Sequence, residues 1–406
     1  MSYLNLSTGS GLSVQPIKPP TLNELKTDDQ HINVILTTIR IPDDHIWANG
    51  LFQNIYIIYR MLEGMGLYPW LMVDDNKKHE DASVHKTFRM MDFKQYAEAP
   101  FKVSAYLEIG MSCDASIRRF FRSMGAKACK LYLGNILNID IETMTFMPKI
   151  NFSHHVAGEL DEIWVSPHYD IHAEYAGSIN ALCGKTQIAP YVWDPTFVES
   201  LGQVYNDTGL SLESPRTFVS MEPNISFQKN AVIPIMAMEA YYRKFPSRVE
   251  TMVTINGERL KINPYYQSSI LPYLSIHKDG KLQLMPRAHI VNLVKAFPSA
   301  IIILHQVNNE YNYSFLEFHY MGFPVIHNIP RFKKYGYYYE GNDFDGAATQ
   351  IDHVIRFHKE NKHMYMSQFK QLLWQFSIHN PANTTIWKEL LFNREPFRPS
   401  SESSVA

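Results

Sequence analysis

The chain has 406 residues, more than one hydrophobic core ordinarily fills, so two domains are expected. Hydrophobic residues make up 45% of it and aromatics 13%, which excludes a disordered chain and fits a large buried interior. The formal charge of −2 excludes a global positive field of the kind that draws nucleic-acid binders to their targets, so any such contact has to be local.

Cys113, Cys129 and Cys183 have no metal-site spacing, and their odd number argues against a disulfide framework. A reducing compartment is the simpler reading. No stretch approaches the roughly 20 apolar residues of a membrane span, and the start lacks the basic and apolar regions of a secretory signal. A cytoplasmic protein is expected.

Residues 1–30, with "STGSGLS" and "PIKPP", have linker chemistry and read as an N-terminal arm. From His31 a strand–loop–helix alternation begins. "INVILTTI" is a strand, "DDHIWANG" a loop, and "LFQNIYIIYRMLEGMG" a helix with Gly66 beyond its end. "YPWLMVDD" and "KVSAYLEIG" continue it, followed by a helix through "ASIRRFFRSMG" and the strands "AKACKLYLGN" and "DEIWVSPH". A seam falls at "QIAPYVWDPTFVE". A second alternation then sets in, with strands in "RTFVSM", "VETMVTING", "AIIILHQ" and "PVIHN". Its helices are "NAVIPIMAMEAYYRKF", "PRAHIVNLVKAF" and "FDGAATQIDHVIRFHKEN", with Asp345 as the N-cap of the last.

The expected fold is therefore α/β, two Rossmann-like domains facing a cleft. Residues 31–190 form the first, 191–375 the second, a C-terminal helix in 376–398 returns to the first, and 399–406 are a tail. Open parallel sheets take ligands at the carboxyl ends of their strands.

Glu317 is the first candidate residue. It sits in "SFLEFHYMGFPVIHN" among Phe315, Leu316, Phe318, Tyr320 and Met321, where no broad polar face exists. A lone Glu is ordinarily an acid on a solvated face. A carboxylate held among those neighbours needs donors, and ribose hydroxyls would serve. The preceding "HQVNNEYNYSF" leaves a strand at His305 and enters the helix through Asn308, Asn309, Glu310 and Asn312. Its first free N–H groups suit a diphosphate. Asn309 or Asn312 can equally be a plain helix cap.

In "SMEPNISFQK", Glu222, Asn224, Ser226 and Lys229 belong to a strand-to-helix loop, where Lys229 could neutralise a phosphate as a point charge. Glu-Pro-Asn is also ordinary turn chemistry. In the first domain, Asn49-Gly50 turns the chain into a helix, so Gly50 permits close backbone approach and Asn49, Gln53 or Asn54 could bond a sugar or phosphate. Asp43, Asp44 and His45 are acceptor-side candidates or a solvated loop. His154, His155 and His168 lie near strand ends, and His155 could move a proton or be structural. No metal site is expected, because no H-E-x-x-H and no closely spaced Cys and His set is present. Two basic segments, with Arg118, Arg119, Arg122, Lys127 and Lys130 and with Arg331, Lys333 and Lys334 beside tyrosines, fit either a nucleic-acid backbone or solvated surfaces.

"EFHYMGFPVI" resembles the C-terminal half of the paired-glutamate motif of retaining GT-B glycosyltransferases. In that family the second Glu, here Glu317, binds the ribose of a nucleotide-sugar donor. The first lies eight positions earlier, where this chain has Asn309, with Glu310 next to it. Together, "IWANGLFQNIYIIYRML", "SMEPNISFQKNAVIPIMAMEAYYRK", "FLEFHYMGFPVIHN", "DFDGAA" and "NPAN" look like a glycosyltransferase-like family of bacteria and bacteriophages.

The resemblance implies a GT-B fold and a retaining glycosyltransferase with a nucleotide-sugar co-substrate, a UDP-sugar, and no metal. Asn309, Glu310, Asp44, His45 and His155 are its catalytic candidates. Glu317, Asn312, Glu222, Asn224, Lys229, Asn49, Gly50 and Asn54 are the donor-binding ones. The implied acceptor is hydroxymethylated pyrimidine in phage DNA, held through Arg118, Arg119, Arg122, Lys333 and Lys334, or a surface glycan, lipid or protein. A nucleotide-sugar epimerase of the same fold and a non-catalytic nucleic-acid-binding protein are the alternatives.

Overall fold

The computed structural model describes residues 31–42, 50–74, 86–146, 154–156, 158–200 and 216–393. The arm at 1–30, the tail at 399–406 and the candidates Asp43, Asp44, His45 and Asn49 lie outside the described residues. The chain divides into two compact units, 1–194 with 376–406, and 195–375.

In unit 1 the strands are β1 (Asn33–Thr37), β2 (Tyr68–Val73), β3 (Met90–Asp92), β4 (Ala105–Glu108), β5 (Lys127–Tyr132), β6 (Glu162–Val165) and β7 (Thr186–Ile188). They pair in parallel in the order β3-β2-β1-β4-β5-β6-β7. β1, β4 and β6 are buried along their whole length, as strands of a parallel sheet covered on both faces must be, and so read as apolar runs with polar residues only at their ends. The helices are α1 (Gly50–Gly64), α2 (Phe93–Glu98), α3 (Ala115–Ser123), α4 (Ile136–Phe146) and α5 (Ala173–Ile179). The Asp92–Gln95 capping box starts α2 and the Asp114 carboxylate starts α3. Phe121 stacks on Tyr106 at 4.7 Å, fixing α3 to the sheet.

In unit 2 the strands are β8 (Arg216–Met221), β9 (Val249–Ile255), β10 (Leu282–Leu284), β11 (Ile301–Ile303), β12 (Val325–His327) and β13 (Tyr337–Tyr338). All pair in parallel in the order β10-β9-β8-β11-β12-β13, so the strand order reverses between β8 and β11. The helices are α6 (Thr196–Ser200), α7 (Val232–Lys244), α8 (Glu258–Lys261), α9 (Pro264–Ser269), α10 (Ser275–Lys278), α11 (Ile290–Ala296), α12 (Tyr313–Tyr320) and α13 (Phe344–Phe376). Phe218, Ile301, Ile326, Tyr241 and Ile351 build the core from β8, β11, β12, α7 and α13. A last helix, α14 (Pro381–Phe392), belongs to unit 1. Trp387 packs edge-on against Trp164 of β6 at 5.8 Å, and the Lys127 ammonium donates to the carbonyls of Leu390 and Asn393, which closes the helix end.

Three expectations need correction. Asp345 is not the cap of α13: Asp343 accepts from the Gly346 N–H, while Asp345 pairs with Lys244 at 2.7 Å. α13 does not stop near Asn361 but runs for 33 residues, because its apolar stripe continues through Tyr365, Phe369 and Leu372. The tyrosines after Lys334 are not a solvated surface: Tyr337 and Tyr338 form edge strand β13, and Tyr337 and Tyr339 are buried.

Candidate functional site

The reversal of strand order between β8 and β11 puts two loops side by side at the carboxyl ends of the unit 2 sheet, the place where open α/β sheets bind ligands. Glu222 is the first residue past β8 and is fully buried. Gln306, in the loop past β11, donates from Nε2 to Glu222 Oε1 at 2.9 Å and accepts from Asn309 Nδ2 at 3.0 Å. The Gln306 backbone N–H donates to Asn328 Oδ1 at 2.7 Å, and Asn328 Nδ2 donates back to the Gln306 carbonyl at 2.9 Å. Gln228 reaches the Asn308 carbonyl at 3.0 Å. A continuous polar network therefore locks the ends of β8, β11 and β12 together.

Asn224, at φ +53°, is occupied within the backbone. It donates to the carbonyls of Glu222 and Asn256 and accepts from the Ala231 N–H at 2.7 Å, which shapes the turn into α7 and leaves little of the side chain for a ligand. Lys229 lies close enough to Glu222 for each charge to stabilise the other. Burial raises the Glu222 carboxyl to about 8 and lowers the Lys229 ammonium, and the partner's charge opposes both changes.

Asn312 caps α12 by accepting from the Ser314 N–H at 3.0 Å. One turn into this helix stands Glu317, only 6% exposed. Among the described residues no donor reaches its carboxylate, and burial alone raises its pKa to about 7. Glu310, by contrast, is bound to Arg331. Behind the network His305 Nδ1 meets the Tyr339 hydroxyl at 2.9 Å, and burial lowers the ring to about 4, so it is neutral at physiological pH.

In unit 1, Gly50 begins α1, and Asn54 donates to its carbonyl at 3.3 Å while Asn54 Oδ1 is buried without a partner. His155 Nε2 lies 2.8 Å from Asp140, and its Nδ1 lies 3.2 Å from the Tyr132 hydroxyl. The first basic segment is not a free patch. Arg118 is buried with its guanidinium on Glu108, Lys127 pairs with Glu162 at 2.9 Å, and Arg119 and Arg122 pair with Glu159 and Asp161. In the second, Lys333 pairs with Glu340 at 3.3 Å. A DNA-tracking surface needs such cations available to phosphates, so the DNA acceptor lacks the support these residues were expected to give.

The sequence reading passed over Gln306, Asn328, Asn256 and Gln228. The usable signal was positional, since Gln306 and Asn328 are polar residues immediately beyond the apolar runs of β11 and β12.

This architecture, two parallel-sheet Rossmann-like units, is the GT-B fold of glycosyltransferases. A glycosyltransferase from Rickettsia africae ESF-5 is 14% identical, with a TM-score of 0.56 over 90% of this chain and 100% of that one. An E. coli structure described as trehalose-6-phosphate bound with UDP-2-fluoro glucose gives 11% identity and the same TM-score and coverage. An α,α-trehalose-phosphate synthase (UDP-forming) from Burkholderia xenovorans, in complex with glucose-6-phosphate, is 10% identical with a TM-score of 0.53 over 88% of this chain and 98% of that one. The chain belongs to the family described as "Protein of unknown function (DUF2827)", whose model matches residues 34–391. No curated protein matches it. The bacteriophage link finds no support in these likenesses. Among the described residues no helix is long and apolar enough to cross a membrane.

Proposed function

We propose that the protein is a glycosyltransferase that binds a nucleoside diphosphate sugar on unit 2. The observation that carries this reading is Glu317, a buried carboxylate without a donor among the described residues, one turn inside a helix that follows the loop locked at the strand-order reversal. A vicinal diol donating two hydrogen bonds would satisfy it, and the ribose of a nucleotide is such a group. The positive end of the α12 dipole and the Lys229 ammonium supply positive charge for the diphosphate, with no divalent ion required.

Catalysis would then be electrostatic. As the bond from the anomeric carbon to the diphosphate oxygen breaks, Lys229 and the helix end would stabilise the negative charge that grows on the leaving group, and the acceptor hydroxyl attacks the sugar and passes its proton to the departing diphosphate oxygen. Asn309 stands where the paired-glutamate family has its first acid and cannot act as a base. We assign it to orienting the sugar, held by Gln306. The UDP-bound and UDP-forming relatives favour uridine as the nucleoside, and a neighbour described as transferring with retention favours retention. Unit 1 is assigned to the acceptor, a glycan, lipid or protein hydroxyl in preference to DNA.

Saturation-transfer NMR with a panel of nucleotide sugars tests the donor assignment. A UDP-sugar should bind with strong transfer to ribose protons, and Glu317→Ala should abolish it. Absence of binding by every nucleotide sugar at millimolar concentration would remove the reading. Mass analysis of the products separates transfer from epimerisation.

A further inference from the structure

Unit 1 carries a side-chain cluster that the donor site does not use. Asp140 projects from α4, and His154 and His155 come from the segment that leads into β6. One ligand atom from each of the three lies within 4.8 Å of the other two. His155 Nε2 stands 2.8 Å and His154 Nε2 3.4 Å from the two oxygens of the Asp140 carboxylate. His154 Nε2 is buried and makes no hydrogen bond. We propose that Asp140, His154 and His155 bind a divalent transition-metal ion of the zinc type.

Two imidazoles and one carboxylate form a donor set that suits zinc and its first-row neighbours, with the remaining positions left to water. The surroundings supply what such sites require beyond the ligands. A metal-bound imidazole must present a bare nitrogen to the ion and donate from the other, and the Tyr132 hydroxyl stands 3.2 Å from His155 Nδ1 to accept that proton. Tyr132 in turn donates to the His154 carbonyl at 3.2 Å and accepts from Asn180 Nδ2 at 2.9 Å. The Tyr175 hydroxyl of α5 donates to Asp140 Oδ2 and so orients the carboxylate. The histidine segment is pinned by Val156, whose N–H donates to Asn180 Oδ1 at 2.7 Å and whose carbonyl accepts from Arg118 at 3.3 Å. The ligands thus come from two separate elements already held in place. Filling the site would tie α4 to the entry of β6, so metal should raise the thermal stability of the chain.

The spacing of the ligands in sequence hid this set. Asp140 precedes His154 by fourteen residues, outside the short helical or loop spacings by which metal motifs are recognised. Only the fold brings the three together.

The test uses the full-length protein, stripped with chelator and titrated with zinc against a chromophoric competitor. One zinc per chain should bind with a dissociation constant of about 1 μM or tighter, and the melting temperature should rise with it. The His154→Ala/His155→Ala pair and, separately, Asp140→Asn should each weaken binding by at least about a hundredfold. X-ray absorption on the zinc-loaded wild type gives a readout independent of how the variants fold. It should show a nitrogen and oxygen shell with two imidazoles and no sulfur. Absence of stoichiometric zinc, undiminished binding in folded variants, or a sulfur shell from the free cysteines would each overturn the proposal.

Discussion

Replacing Glu317 by Gln separates the cost of holding this acid in the fold from its use. Burial holds the carboxyl at about 7 against an ordinary 4.5. The folded chain therefore keeps the proton that the unfolded chain has already released, and the acid's contribution to stability is full below 4.5 and lost as pH rises through 7. By about pH 8.5 the ionised group costs about 3 kcal/mol relative to the unfolded chain. Glutamine has the shape of the protonated acid and never ionises, so wild type and variant should melt together near pH 5. At about pH 8.5 the variant should be about 2–3 kcal/mol more stable, a rise of about 4–10 °C for a unit of this size. The same substitution removes the charged acceptor of the donor's diol and should weaken nucleotide-sugar binding by about 10- to 100-fold. Paired melts across the pH range and calorimetric titration with UDP-glucose read the two effects. A stability difference that does not change with pH, or donor affinity within about threefold of wild type, would refute the reasoning, since either means that Glu317 is already paired.

Because diol binding favours the ionised acid, donor binding near pH 7 should release a proton and the affinity should fall as pH drops below 7, visible as a buffer-dependent heat in calorimetry. His305, His327 and His358 are buried and each is lowered to about 4 from 6.5, so below 6.5 the unfolded chain takes up protons that the fold refuses. Each can cost up to about 3 kcal/mol by pH 4, together comparable to the stability of a domain, and circular dichroism should show unfolding as pH falls through that window. Gly336 holds φ +69°, and a Cβ there would meet His319 Nε2 at 2.9 Å and His327 Nε2 at 3.0 Å. Gly336→Ala should therefore lower stability by about 2–4 kcal/mol in urea denaturation. Asn312→Ala removes the cap of α12 and should cost about 1 kcal/mol of stability while weakening diphosphate binding.

The fold was legible because parallel strands buried on both faces leave an unmistakable mark. "INVILTTI", "AIIILHQ" and "PVIHN" are apolar runs too short for helices, separated by longer segments with helical spacing. Short edge strands carry no such mark. β3, β10 and β13 were missed, and β13 looked like part of a basic, tyrosine-rich surface because Lys333, Lys334 and Tyr335 closely precede it. Charged helix faces misled for a related reason. Arg118 looks no different in sequence from Arg119 and Arg122, yet the helix turn sends it inward to Glu108, and nothing local announces that partner ten residues away. Glu317 was visible because its neighbours on all sides are apolar, whereas Gln306 and Asn328 are ordinary polar residues until the strand order places them against each other.

That concentration of buried polar groups also argues for function over stability. Glu222, Gln306, Asn309, Asn328 and Glu317 are all nearly sealed from solvent, at the end of a sheet packed on an aliphatic and aromatic core. Burying a carboxylate without a donor is unfavourable, and an apolar side chain of similar volume would hold the same helix at least as well. Glu222, with one oxygen on Gln306 and the Lys229 charge nearby, is a second buried acid, on the neighbouring strand, only partly satisfied because its other oxygen makes no hydrogen bond. Two such acids beside the strand-order reversal are expected where a ligand supplies the missing donors, because a fold selected only to be stable would have replaced them.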